Sequence, residues 1–301
     1  MYRNESTVDF AIAADQMIKE KEYWLNKLQG ELVKTYFPYD FPPEKHAQGE
    51  KGQLNFRFSK EIDSRLLSIA NNSEIRLFML LAAGMTVLLH KYTGNKDIMI
   101  GVPILKQELH GDFINTMLIL RNYLDDHITF KELLYISKQT LVEAVENQNY
   151  PIKLLIQELG LETLGQEDGN PFSDCIILLE GIHDRNYIQE LNPAILFSFS
   201  VEQETIPGRI EYNAACYHES TIKRISRHLQ YLFQHVLDHL DSPLEEISIL
   251  SADEKKQLLV EFNSNNSGIS TGFNTIVDWF ENQVEKTPGL IAVEYEDQKI
   301  D

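Results

Sequence analysis

Nine histidines and two cysteines are the side chains in this sequence best suited to binding metals or moving protons. His228, His235 and His239 fall on one shoulder of a helical stretch, and the last two are spaced i, i+4, which can bring two imidazoles to one metal. The pattern implies no third ligand, and Val236 stands where a zincin would carry glutamate, so a solvated shoulder is the better reading. Gly268-Ile269-Ser270-Thr271-Gly272 spells Gly-x-Ser-x-Gly, but a nucleophile elbow needs a strand before it and a helix after it. Here it follows Asn263-Ser264-Asn265-Asn266-Ser267, a polar linker by composition. Cys175 sits in an apolar run, where free cysteine acts as a small hydrophobe, and Cys216 is 41 residues further on. Together they make neither a disulfide framework nor a zinc site. His127, beside Asp126, is the remaining candidate base, in what reads as an exposed loop; Asp125, Asp126 and Asp168 read as solvated loop acids. Spacing alone therefore assigns no catalytic residue, no metal and no bound cofactor.

The elements that would position chemistry are easier to read. Met17, Tyr23, Trp24 and Leu28 mark a helix ending at Gly30, and Phe41-Pro42-Pro43-Glu44-Lys45 reads as an extended loop. Leu54 to Phe58 alternates with period two and predicts a strand. Helices are expected over 60–70 and 74–91, the second with Ser73 as N-cap and apolar on most sides, hence internal. Asp97–Val102 and Asp174–Leu179 read as strands, 129–147 as a helix, and Pro151 as the opening of another. Ala194–Glu204 and Gly208–Tyr217 suggest a hairpin, and Ser220 is expected to cap a helix carrying Ile222, Ile225, Leu229, Leu232, Val236 and Leu240. Strands mixed with helices predict α/β layers around one core. A charged helix after Ser251, the polar linker, a helix from Thr275 and a strand at Ile291–Tyr295 predict a second unit.

Among 301 residues, 27 Lys plus Arg oppose 46 Asp plus Glu, a formal charge of −19. That sign disfavours nucleic acid and anionic membranes, whose phosphates are bound by Lys and Arg. The strongest apolar stretch, Leu77 to Leu89, is 13 residues long, against about 18 or more for a membrane span. With no secretory leader visible in the first 25 residues, the expected location is the cytoplasm.

Several segments, in order, resemble the C-terminal half of a nonribosomal peptide synthetase condensation domain. Asp9-Phe10-Ala11 is similar to the motif between that domain's two lobes, and Tyr23-Trp24 with Leu28 and Gly30 to its Tyr-Trp-x-x-x-Leu-x-Gly helix. The most specific match runs through Ile100-Gly101-Val102-Pro103, Gly111-Asp112-Phe113-Ile114-Asn115-Thr116 and Leu120-Arg121. Asn147-Gln148-Asn149-Tyr150-Pro151 resembles His-Gln-Asp-Tyr-Pro with its histidine replaced, and Asn170-Pro171-Phe172-Ser173-Asp174 resembles Arg-Asn-Pro-Leu-Phe-Asp with Gly169 in place of the arginine. Leu105-Lys106-Gln107 stands where the family usually has Ala-Gly-Arg. Beyond Glu261, Phe280, Gln283, Pro288 and Ala292 are similar to the start of an adenylation domain.

The resemblance implies a single chloramphenicol-acetyltransferase-like lobe, a mixed β-sheet flanked by helices. It implies an inter-lobe segment and first helix over 1–30, the lobe over 31–250, a linker over 251–273 and an adenylation start over 274–301. Family members join thioesters carried on phosphopantetheine arms of peptidyl or aminoacyl carrier proteins, in a tunnel between two lobes. Asn115 is the expected tunnel-facing residue, with a buried amide serving loop backbone as the competing role; Pro103, Arg121, Tyr150, Asn170 and Pro171 are expected scaffold. The reactive His-His-x-x-x-Asp-Gly belongs to the N-terminal lobe and occurs nowhere here. General-base help is worth about 10²–10⁴-fold, and tunnel positioning about 7–11 kcal/mol, so the chain alone is expected not to condense substrates. The expectations are a structural or docking element for a carrier protein and an adenylation domain, or a split enzyme completed by an N-terminal lobe from another polypeptide, with self-association a further way to cover the lobe.

Overall fold

Two strands of alternating burial and four nearly continuous buried runs build one six-stranded sheet, and helices cover it. The computed structural model describes residues 17–41, 50–106, 115–125, 127–161, 170–188, 191–264, 275–291, 293–295 and 298–300. In chain order come α1 (Ile18–Lys27), β1 (Lys51–Arg57), α2 (Lys60–Ala70), α3 (Glu74–Thr93), β2 (Asp97–Pro103) and β3 (Met117–Tyr123). They are followed by α4 (Phe130–Glu146), α5 (Ile152–Glu158), β4 (Cys175–Leu179), β5 (Ile195–Phe199), β6 (Pro207–Asn213) and α6 (Glu219–Asp238). The sheet order is β1-β6-β5-β4-β2-β3; β2, β4 and β5 run parallel as neighbours and the other pairs are antiparallel.

Local chemistry sets the helix ends. Ser59 and Ser73 accept from the backbone N–H groups of Ile62 and Arg76, and Thr129 forms a capping box with Glu132. Gly94, at φ +71°, closes α3 in the left-handed conformation that glycine adopts without strain. From Leu80 to Leu89 every residue of α3 is buried. This helix is long and apolar enough to cross a membrane, but it is the core helix of the domain and most of its apolar stretch is enclosed there. It packs on β2 and β4, α4 packs on β3, and α6 packs on β1 with α2 and α3 beside it.

Two readings from the sequence change. Residues 117–123 form a strand, β3, that the pattern had not marked, because the apolar run Met117–Leu120 is too short to show a period before Arg121 interrupts it. Helix α6 starts two residues earlier than Ser220 implies, with His218 in the cap position. Its cap comes from elsewhere in the chain: Asp40 accepts from the His218 N–H at 2.8 Å and from the Thr221 hydroxyl at 2.9 Å.

Residues Met1–Ser251 form one compact unit and Ala252–Asp301 another. The second contains α7 (Ala252–Lys256), a π-helical turn (Gln257–Glu261), α8 (Ile276–Lys286) and a hairpin of β7 (Val293–Tyr295) with β8 (Gln298–Ile300). Thr275 and Asp278 form the capping box of α8. None of its helical residues is buried, and Trp279 and Phe280 lie exposed on α8.

Candidate functional site

Segments far apart in sequence meet around β2 and β3, and Arg121 is the hub. Its Nε donates to both Asp97 carboxylate oxygens at 3.0 and 3.1 Å, and Nη2 reaches Asp97 Oδ2 at 2.6 Å and the Glu31 carbonyl at 3.4 Å. Nη1 donates to the carbonyls of Lys27 and Gln29 at 3.2 and 2.9 Å. All three guanidinium nitrogens are thus committed to structural partners. The last turn of a helix leaves carbonyls unsatisfied, and here a strand residue serves the end of α1 and the chain beyond it.

The same helix is fixed at a second point. Trp24, buried, donates its indole N–H to the Asn147 carbonyl at 2.7 Å, and Asn147 Nδ2 bonds back to Glu143 O at 2.8 Å. One residue on, the Gln148 carbonyl accepts from Asn115 Nδ2 at 2.8 Å, while Asn115 Oδ1 accepts from the Thr116 and Met117 N–H groups at 3.0 and 3.4 Å. Asn115 is 5% exposed, so both ends of its amide are spent on backbone inside the protein. Tyr150 is buried, Pro151 stands at the N-cap of α5, and Pro103 ends β2 opposite Met117. The segments around 24, 115, 121 and 147–151 therefore form one connected network.

A strap at Glu31–Phe41 completes it. Strands β2 and β4 share a single register point, Gly101 with Ile176. Where they part, Thr35 takes up the backbone groups: its Oγ1 accepts from Met99 N–H at 2.9 Å, its N–H donates to Phe172 O and its carbonyl accepts from Asp174 N–H, both at 3.0 Å. Asn170 turns this segment, accepting from Phe172 N–H at 3.1 Å through Oδ1 and touching Met117 Sδ at 3.6 Å through Nδ2; Pro171 beside it is buried. The Asp174 carboxylate binds the Tyr39 hydroxyl and, at 2.9 Å, Lys34 Nζ. Burial, followed by the nearby Asp174 charge, pushes the Tyr39 and Tyr217 hydroxyls above the ordinary tyrosine range.

Among the described residues the histidines do not assemble a base. His127 is exposed and pairs with Glu245 at 3.2 Å. His235 bonds to the Ser248 carbonyl at 2.9 Å, and its ring centre lies 6.5 Å from that of His239. His228 departs from the shoulder reading: it is buried, with Nδ1 2.7 Å from the Tyr92 hydroxyl, because α6 rolls that position onto α3. His183, which no motif singles out, is 1% exposed and takes the Leu179 N–H on Nδ1 at 3.1 Å. Burial first, then the Lys106 charge, lowers it to about 4, so it is neutral at pH 7. Cys175 and Cys216 are buried free thiols, both raised chiefly by burial. Among the described residues no group of three or more His, Cys, Asp or Glu could hold a metal ion. Asp9–Ala11, Pro42–Lys45, Gln107, Gly111–Ile114, Asp126, Asp168, Gly169, Ala292 and Gly268–Gly272 lie outside the described residues.

Comparison with known proteins agrees with this network of motifs. A family model described as Condensation domain matches residues 9–259. Gramicidin S synthase 2 of Aneurinibacillus migulanus is 31% identical over 304 residues, covering 94% of this chain and 7% of the synthase. Bacitracin synthase 3 of Bacillus licheniformis is 31% identical, covering 95% of this chain and 5% of that protein. The chain thus spans less than a tenth of either relative's length. In fold it is similar to a four-domain nonribosomal peptide synthetase bound to AMP and glycine (TM-score 0.68, 19% identity, 79% of this chain and 20% of that one). It is similar also to the X-domain complexed with OxyB from teicoplanin biosynthesis (TM-score 0.69, 17% identity, 81% and 60%). The mixed sheet flanked by helices is the chloramphenicol-acetyltransferase-like architecture of these proteins. The chain belongs to the condensation-domain family of nonribosomal peptide synthetases.

Proposed function

We propose that this chain is the C-terminal lobe of a condensation domain, followed by a linker over 251–273 and the start of an adenylation domain over 274–301, and that alone it forms no peptide bond. The observation carrying this reading is that the best-kept motif is spent on scaffolding. Every guanidinium nitrogen of Arg121 and both ends of the Asn115 amide serve structural partners. The lack of His-His-x-x-x-Asp-Gly supports it, since that motif supplies the family's proton-handling imidazole. Asn115 then holds the entry to β3 against Gln148 and so shapes a tunnel wall. Pro103, Tyr150, Asn170 and Pro171 act with Arg121 as scaffold. The lobe works as a structural and docking element in the cytoplasm for a carrier protein, whose phosphopantetheine arm brings the substrate, and for an adenylation domain.

The test is a condensation assay with two aminoacyl-loaded carrier proteins, run with the chain alone and with a separately produced N-terminal lobe bearing the histidine motif. No dipeptidyl thioester is expected from the chain alone, and product formation there at a synthetase-like rate refutes the proposal. Product only on adding the lobe supports the C-terminal-lobe assignment and identifies a split enzyme; a docking role without that partner predicts carrier-protein binding and no product.

A further inference from the structure

A groove of about 500 Å³ lies over the face of β1, β6 and β5 opposite α6, where Arg185 Nη1 reaches Ser198 Oγ at 3.4 Å. Register explains its lining: Asn55, Arg209 and Ser198 stand directly opposite one another on three adjacent strands. Their neighbours Phe56 and Phe199 point the other way, into the core. Glu180 and Ser200 follow directly after the parallel strands β4 and β5, and ligands of open α/β sheets bind outside such carboxyl ends. The walls are anchored by backbone. Glu180 N–H donates to Phe199 O at 2.8 Å, its carbonyl accepts from Lys106 Nζ at 2.6 Å, and Ser200 N–H donates to Pro207 O at 3.1 Å.

Charge in the groove is of both signs and only half paired. Arg57 and Glu202 form an ion pair at 3.6 Å. The Arg209 guanidinium and the Glu180 carboxylate bond neither to each other nor to any other described residue. A lone anion would meet Glu180 and Glu202, a lone cation would meet Arg57 and Arg209, and an apolar ligand would strip water from all four without replacing it. A dipolar ligand answers both open charges. We propose that the groove binds a small zwitterion of the α-amino acid or dipeptide class, its carboxylate on Arg209, where a bidentate pair is favourable, and its ammonium on Glu180. Asn55 and Ser200 supply neutral polar contacts beside them. A cleft of this volume falls within the ordinary range for small-molecule sites.

Isothermal titration calorimetry on the full chain tests this with L-alanyl-L-alanine, its N-acetyl derivative and its C-terminal amide. Binding is expected for the unblocked dipeptide, with each block weakening it by about tenfold or more. Arg209→Gln should abolish the preference for the free carboxylate, and Glu180→Gln the preference for the free amine, with circular dichroism unchanged for both variants. Absence of binding, equal affinity for all three peptides, or binding indifferent to both substitutions overturns the proposal. The groove shares no residue with the network around Arg121, so this outcome is separate from that of the condensation assay.

Discussion

Single side chains fix the motif network, and their removal should be costly in proportion to the partners stranded. Arg121→Ala leaves the Asp97 carboxylate and three carbonyls without their donor; a loss of about 2–3 kcal/mol is expected in urea unfolding. Arg121→Lys should recover only a minor part, because a lysine ammonium cannot reproduce the planar fork. His183 supplies a pH dependence. Its native imidazole titrates near 4, below the unfolded value of 6.5, so as pH falls the unfolded chain takes up this proton first. The stabilisation is complete above pH 6.5 and is lost progressively between 6.5 and 4, by up to about 3 kcal/mol. Unfolding free energies of the native chain and His183→Gln, compared at pH 7.5 (about one unit above that window) and at pH 4.5 (inside it, near its lower end), should diverge in this sense. A difference independent of pH would remove His183 from the account.

At the scale of elements, three glycines mark where packing leaves no room for a side chain. A Cβ on Gly84 of α3 would stand 2.3 Å from the Phe233 ring of α6, and Phe233 is itself fully buried. One on Gly208 of β6 would stand 2.3 Å from the ring of Phe56, its partner across the ladder. Gly84→Ala is expected to destabilise by about 1–3 kcal/mol through overpacking, visible as a lowered Tm, and Gly208→Ala to do likewise between β1 and β5. Gly52→Ala should follow the same rule, since the Tyr212 ring covers Gly52 directly. An unchanged Tm for all three would mean that these rings move aside freely. Helix α3 was legible because Ser73 caps it locally. Strand β3 was not, because its short apolar run draws its strand character from pairing with β2 over Asp97–Pro103.

For the whole molecule, the division after Ser251 carries a prediction of its own. Residues 1–251 hold the sheet and its helical cover, so a chain ending there should melt in one transition at the Tm of the main transition of the full protein. A large drop in that Tm would show the second unit to be part of the same cooperative structure. No apolar residue of α8 is fully buried, and Trp279 and Phe280 stay about 60% exposed, which is why little stability is expected to depend on them.

Composition, helical caps, the period of Leu54–Phe58 and the ordered motifs determined the α/β class, most elements and the family, because those signals are local and survive without neighbours. What each motif residue does was decided only in three dimensions. Nothing in the spacing of Arg121 and Lys27, or of Asn115 and Gln148, tells that one closes the end of a helix and the other staples a loop. Likewise His228 turned inward, and Asp40 became the cap of a helix about 180 residues away. A hydrogen bond between segments distant in the chain depends on how the sheet brings them together, and that geometry is a property of the whole fold rather than of any stretch of sequence.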